Sequence, residues 1–350
     1  MLKIGLNGFG RIGRAIFRIN SEKKAFAIVA INDINPDTKN LAYLLQYDSA
    51  YGKFPERVSS TKNKIIIGKS KINVFHKDRV SQAPWEKHKV DIIIDSSGAH
   101  QNVIDSRKCL KKGIESVVIT HASKEVDFNF VFGVSEDKFK LNKHKIVSSS
   151  ICDVVAFAPI AKKIEEFYGI NHVFVTTLHP WLQYQNLLDN SVPSISYPGT
   201  TYEHYVLGRA STISLIPKPT TVGTVSKQLL PFLRGKLSAY SFRIPVGNVS
   251  SADLTFELKK KITKKQVNNL FKNLAKKKSS VFGYTKEPLV SIDFIKNKNS
   301  VVVDGRWTSI LNNRYLKLVI WYDNEWGYSK HVVDVVSFIG SKIKERGIKK

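Results

Sequence analysis

Cysteine is nearly absent: Cys109 and Cys152 are the only two among 350 residues, and there is a single methionine. Two thiols cannot frame a disulfide-stapled scaffold, which excludes the small secreted folds that depend on one. No apolar run approaches the roughly 20 residues of a bilayer-spanning helix, so an integral helical membrane protein is excluded. The start of the chain has no basic-then-apolar leader, and a reduced cytoplasm is the expected compartment. Acidic residues are also in short supply, 29 against 55 basic ones, for a formal net charge of +26. What is present excludes a disordered polycation: 42% apolar and 11% aromatic residues supply ample core material. At about 100–200 residues per domain, the length predicts two domains.

An excess of positive charge is the footprint of a nucleic-acid or anionic-surface partner. Here lysine outnumbers arginine more than threefold and is spread along the chain. The clusters Lys259–Lys261, Lys264-Lys265 and Lys276–Lys278 border Val267, Leu270, Phe271 and Leu274, which stand at helical spacing. The expected result is a solvated lysine face beside a buried stripe rather than a polyanion groove.

The opening residues carry more information. Lys3-Ile4-Gly5-Leu6-Asn7 reads as a short strand running into Gly8-Phe9-Gly10-Arg11-Ile12-Gly13-Arg14. Ile12, Ala15, Ile16 and Ile19 then mark a helix, and Ala27–Ile31 a second strand ending at Asn32-Asp33. In a strand–glycine turn–helix–strand unit the first glycine makes the turn. The second lets backbone approach a pyrophosphate, and the third packs the helix on the sheet. The phosphates would sit on the free amides of the helix N-terminus. Asp33 follows the last glycine by 20 residues, where a carboxylate binds ribose hydroxyls and repels a 2′-phosphate, so NAD is expected over NADP.

Asp91–Asp95 and Ser116–Thr120 add buried strands to one doubly wound, Rossmann-type parallel sheet. Ligands in such sheets bind beyond the strands' carboxyl ends, which makes Ser97, Gly98 and Thr120 cofactor-side candidates. From about residue 151 the pattern changes. One helix (Ala156 to Ile164) precedes longer strands at His172–His179, Ala239–Pro245, Asp253–Leu258, Leu289–Phe294 and Tyr315–Tyr322. That succession predicts an α+β domain with a mainly antiparallel sheet, and His331 to Ile348 reads as a final helix. Cys109, in the lysine-flanked helical stretch Arg107–Lys111, reads as structural.

Cys152 follows the strand-like Lys145-Ile146-Val147 and opens a helix, where free amides and the dipole favour a thiolate. His179 ends a strand, and an imidazole within reach would pair with that thiolate. One cysteine and one of nine histidines leave a purely structural role open.

The surrounding words narrow it. Asn7–Arg14, Ile31-Asn32-Asp33, Gln46-Tyr47-Asp48-Ser49, Phe242-Arg243-Ile244-Pro245 and Trp321–Ser329 (WYDNEWGYS) occur in order along nearly the whole chain. The chain resembles the phosphorylating glyceraldehyde-3-phosphate dehydrogenase family, including its erythrose-4-phosphate relatives. The resemblance implies an NAD-binding domain over residues 1–150 and a catalytic domain over 151–328. It further implies a C-terminal helix over 329–350 docking back on the first domain, and a homotetramer. Carried over position by position, Cys152 is the nucleophile and His179 its base, at the family's spacing. Gly8, Gly10, Arg11, Ile12, Gly13, Asp33, Lys77, Ser97, Gly98, Thr120 and Asn324 are the cofactor contacts. The implied substrate is a small aldehyde, taken through a Cys152 thiohemiacetal and thioester to an acyl phosphate with inorganic phosphate. Neither a metal nor a membrane belongs to that chemistry.

The departures cluster at the anion sites. The family reads Ser-Cys-Thr-Thr-Asn at the nucleophile; here it is Ile151-Cys152-Asp153-Val154-Val155. Asp153 either opposes a thiolate and an incoming phosphate by like charge, or caps the helix facing away. Leu182 stands where a phosphate-binding threonine is usual, and Thr221 where a glycine is usual after Thr220. Arg243 keeps the family's phosphate-ligand position, and Arg209 lies near a family arginine. The 180–216 segment is longer than usual and carries Tyr184, Tyr197, Tyr202 and Tyr205; in the family it lines a neighbouring subunit's cofactor pocket. A different aldehyde, hydrolysis of the thioester, or a non-catalytic NAD-binding paralogue acting on a polyanion are the alternatives these changes leave open.

Overall fold

The computed structural model describes residues 1–277 and 280–348. Lys278 of the third lysine cluster and residues 349–350 of the expected last helix lie outside the described residues. Two sheets organise the chain. The first contains β1 (Lys3–Asn7), β2 (Ala27–Asn32), β3 (Val58–Thr61), β4 (Lys64–Ile67), β5 (Ser70–Phe75), β6 (Ile92–Asp95), β7 (Ser116–Ile119), β8 (Phe128–Asn129) and β9 (Ile146–Ser148). Their order is β3-β4-β5-β2-β1-β6-β7-β9-β8. Ile4, Leu6, Ile92–Ile94, Val117–Ile119, Ile146 and Val147 are buried, as parallel strands covered on both faces require. β1 pairs in parallel with β2 on one side and β6 on the other, so a crevice opens beyond Asn7 where the strand order reverses. Helices α1 (Arg11–Lys23), α2 (Thr38–Gln46) and α3 (His100–Leu110) belong to this layer.

The second sheet contains β10 (Ile170–Pro180), β11 (Ile216–Pro219), β12 (Leu237–Ile244), β13 (Ser250–Leu258), β14 (Phe282–Thr285), β15 (Val301–Leu311) and β16 (Tyr315–Tyr322). The order is β11-β12-β10-β13-β16-β15-β14, and the pairs are antiparallel except β10–β12 and β14–β15. Along β10 the two-residue alternation turns Val173, Val175, Thr177 and His179 inward and leaves Phe174 and Leu178 exposed. The remaining helices are α4 (Cys152–Tyr168), α5 (Val222–Leu229), α6 (Lys264–Lys276) and α7 (Trp326–Ile348). α4 is buried from Asp153 to Ala161 and packs on β10, β15 and β16. α7 packs on both α1 and α4, and Asp334 accepts Lys23 across the first of these contacts at 2.5 Å. Among the described residues, no helix is long and apolar enough to cross a membrane.

The second sheet differs from the sequence reading: β11, β14 and β15 are strands it does not name, and one expected strand is absent. Leu289–Phe294 is not a strand: Asp293 accepts the Val290 amide at 2.8 Å and closes a short 3-10 turn over Ser291–Phe294. The strand in that region is β15, whose polar Asp304, Arg306 and Thr308 obscure its alternation.

Candidate active site

β1 turns into α1 over two glycines that cannot be larger. Gly8 has φ +86°, and a Cβ there would stand 2.6 Å from the Ser97 amide nitrogen. A Cβ at Gly13 would stand 2.2 Å from the Gly8 carbonyl oxygen. Gly10 differs: a Cβ there meets nothing within 4 Å. Gly10 is also the N-cap of α1 and offers no side-chain acceptor to the first-turn amides. These groups open on a cleft of about 790 Å³ lined by Gly8, Gly10, Arg11, Ile12, Asp33, Lys77, Ser97, Gly98, Thr120 and Asn324. Gly13 is not on its wall and acts through packing.

The polar lining suits NAD. The Asp33 carboxylate is tied to the turn by the Phe9 amide at 2.6 Å and to Asn35 at 2.9 Å, which leaves acceptor capacity for ribose hydroxyls. Asn324 is buried, and its Oδ1 has no partner among the described residues. The Arg11 guanidinium is taken by Asp48 and Glu325, which engages it within the protein rather than leaving it free for a ligand.

Cys152 and His179 line the same cleft. The chain reaches Cys152 through Ser150, held at φ +66° while Tyr328 donates to its carbonyl at 3.0 Å. Ile151 is extended and caps nothing, so Cys152 is the first residue of α4. His179 sits at the end of β10 opposite Arg243 of β12. Cys152 Sγ lies 3.5 Å from His179 Nε2. His179 Nδ1 lies 2.8 Å from the Pro180 carbonyl, so Nδ1 carries the proton and Nε2 presents its lone pair to sulfur.

Asp153 does not cap α4 facing away. It is buried with Oδ1 3.4 Å from Cys152 Sγ and 3.9 Å from His179 Nε2, and it accepts the Tyr322 hydroxyl at 2.8 Å. Burial and this carboxylate push the Cys152 thiol well above its ordinary value, against the pull of Arg243. The carboxylate thus works against the helix N-terminus, the first of the two roles the sequence leaves open for Asp153. Burial and Arg243 push His179 down to about 4. Both shifts favour a neutral thiol facing a neutral imidazole, so attack requires proton transfer across the 3.5 Å contact.

The anion-site candidates separate. Arg243 is buried beside His179, with Nη2 3.3 Å from the Tyr184 hydroxyl and Nε without a partner among the described residues. Thr220 Oγ1 accepts the Val222 amide at 3.3 Å, and Thr221 is the N-cap of α5. Arg209 is exposed and paired with Asp189 of its own loop at 2.9 Å, which leaves the site without it. Leu182 lines the cleft. The sequence reading missed Lys218, which β11 sets in register with Ser241 two residues before Arg243. Burial and Arg243 push its amine down to about 8, while Asp153 and Cys152 act on it in the opposite sense. It missed Tyr322 as well. In the long loop, Ser194, Ile195 and Pro198 line the cleft of their own chain, and the Ser196 carbonyl accepts the His100 amide at 3.0 Å.

Comparison with known proteins agrees over both halves. The profile of "Glyceraldehyde 3-phosphate dehydrogenase, NAD binding domain" matches residues 2–103, and that of its C-terminal domain matches residues 151–324. Glyceraldehyde-3-phosphate dehydrogenase 1 of Bacillus subtilis is 35% identical over 97% of this chain and 99% of its own. The second Bacillus subtilis enzyme of that name is 34% identical over 98% of each chain. Glyceraldehyde-3-phosphate dehydrogenase 1 of Kluyveromyces lactis is 37% identical over 97% of this chain and all of its own.

Proposed function

The chain belongs to the glyceraldehyde-3-phosphate dehydrogenase family, and from that premise we propose that it oxidises a phosphorylated aldehyde through a Cys152 thioester to an acyl phosphate. It is an NAD-dependent aldehyde dehydrogenase. The observation that carries the residue assignment is the 3.5 Å thiol–imidazole contact in the cleft that also holds the glycine turn.

Gly10 and the first amides of α1 would receive the pyrophosphate, Asp33 the ribose hydroxyls and Asn324 Oδ1 an amide N–H. When bound there, NAD supplies the acceptor for the hydride that the substrate loses. His179 Nε2 takes the Cys152 proton as sulfur bonds to the aldehyde carbon, giving a thiohemiacetal. His179 hands that proton to the aldehyde oxygen and takes it back as hydride leaves the carbon, which leaves the thioester. Phosphate then attacks the acyl carbon and expels the Cys152 thiolate, which recovers its proton from His179. Arg243 and Lys218 supply positive charge for the phosphate groups. Exposed Phe174, Tyr240 and Trp307 on the outer face of the second sheet support self-association, in keeping with a homotetramer. A cytoplasmic location is part of the same reading.

Asp153 favours a second outcome, transfer of the acyl group to water, because a carboxylate beside the thioester repels phosphate and can accept a proton from water. NADH formation, followed over phosphorylated and unphosphorylated aldehydes with and without phosphate, separates the two. Turnover that needs phosphate supports the acyl phosphate; equal turnover without it establishes hydrolysis. In Asp153→Thr the KM for phosphate falls about tenfold by loss of the like charge. An unchanged KM would show that phosphate does not approach this side chain. Lys218→Met raises the KM for the phosphorylated aldehyde or for phosphate about tenfold. Since the ammonium form prevails below about 8, that contribution weakens in the wild-type enzyme as pH rises through this value, and the variant lacks the trend.

A further inference from the structure

We propose that Cys152 Sγ, Asp153 Oδ1 and His179 Nε2 form a three-ligand site for a thiophilic divalent cation of the zinc type, with its fourth position open to the cleft. Their separations are 3.4 Å (sulfur to oxygen), 3.5 Å (sulfur to nitrogen) and 3.9 Å (nitrogen to oxygen). Tetrahedral zinc, with a bond to sulfur of about 2.3 Å and bonds to nitrogen and oxygen of about 2.0–2.2 Å, holds its ligand atoms about 3.3–3.6 Å apart. The three atoms therefore already outline one face of such a tetrahedron, and only the nitrogen–oxygen edge must close by a few tenths of an ångström.

The donors are also held as metal ligands are. The Pro180 carbonyl fixes His179 in the tautomer with a free Nε2, and the Tyr322 hydroxyl holds Asp153 Oδ1 at 2.8 Å. Cys152 lines the cleft, which leaves water or a small anion room at the fourth position. The third ligand exists because a carboxylate occupies position 153. Two groups that repel as anions become a matched pair around a dication. The N-terminus of α4, Arg243 and Lys218 bring positive charge to the same region, so the hold is weaker than that of a closed structural zinc site and yields to a chelator. Binding breaks no bond except the thiol S–H. The proton goes to solvent, and three waters of the hydrated ion are replaced by sulfur, oxygen and nitrogen, with no change of oxidation state. A sulfur so engaged cannot attack an aldehyde, so occupancy silences the enzyme reversibly. That consequence rests on Cys152 being the nucleophile; the site itself does not.

Cobalt(II) titrated into the purified enzyme tests the site without reference to turnover. The expected result is a thiolate-to-cobalt charge-transfer band with the visible bands of a four-coordinate ion, reversed by chelator and displaced by Zn²⁺. Zn²⁺ also protects Cys152 from iodoacetamide and inhibits aldehyde oxidation over the same concentration range. Asp153→Asn weakens Zn²⁺ binding at least about tenfold, and Tyr322→Phe weakens it about tenfold by loosening the carboxylate. A wild-type cobalt spectrum without the thiolate band overturns the proposal, as does equal Zn²⁺ affinity in a folded Asp153→Asn. A thiolate band and protection without inhibition would uphold the metal site and refute the assignment of Cys152 as nucleophile.

Discussion

Replacing Cys152 by Ser lowers kcat/KM for aldehyde oxidation by about 10⁴-fold or more and leaves NAD affinity unchanged. The site that makes sulfur usable does little for a hydroxyl. His179, pushed down to about 4, is a weak base. It can assist a thiol whose proton is shared across a 3.5 Å contact, but an alcohol holds its proton far more tightly. Asp153, 3.4 Å from the reacting atom, opposes an alkoxide even more than a thiolate. The neighbouring hydroxyls cannot substitute, because Ser149 Oγ is engaged with the Ile119 carbonyl and Tyr328, and Ser150 is fully buried. Steady-state kinetics with an NAD titration and a thermal melt checks the result. Retention of a tenth of the activity would move the nucleophile elsewhere.

How much of this was legible in the sequence follows from how local each signal is. The glycine turn and Asp33 lie within the first 33 residues, and steric rules for glycine fix their relation without the rest of the chain. Cys152 opens a helix and His179 ends a strand, but these local signals leave a structural role open, and only the family resemblance singles the two out as a pair. The state of the thiol was not legible, because it depends on where Asp153 points. Tyr322, 169 residues away on β16, takes that carboxylate, and no periodicity in Ile151–Val155 reports it. Lys218 went unread for the same reason. Between two prolines it resembles a loop lysine, and only the pairing of β11 with β12 places it beside Arg243. Arg209 enters only through its nearness to a family arginine, and it pairs instead with Asp189, a partner supplied by its own loop.

The second and third glycines of the turn, Gly10 and Gly13, allow fold and cofactor binding to be separated by experiment. Gly10→Ala leaves stability within about 1 kcal/mol of wild type, yet raises the Kd for NAD at least about tenfold. The backbone at Gly10 has φ −71°, which alanine adopts freely, and the added methyl meets no protein atom within 4 Å. The only thing for it to displace is a ligand lying against the turn, as a pyrophosphate on these amides must. Gly13→Ala shows the opposite balance. Inside α1, alanine is favoured over glycine by about 0.5–1 kcal/mol, so propensity alone predicts a more stable protein. The new Cβ would stand 2.2 Å from the Gly8 carbonyl oxygen, a backbone atom that cannot rotate away, and 3.0 Å from Ser96 Oγ. Overpacking of this kind costs about 1–3 kcal/mol or more, so the clash outweighs the propensity and the thermal midpoint falls by several degrees. The falling midpoint accompanies loss of NAD binding in Gly13→Ala, whereas Gly10→Ala loses the cofactor at an unchanged midpoint. Wild-type NAD affinity in Gly10→Ala would remove the pyrophosphate from the edge of this turn.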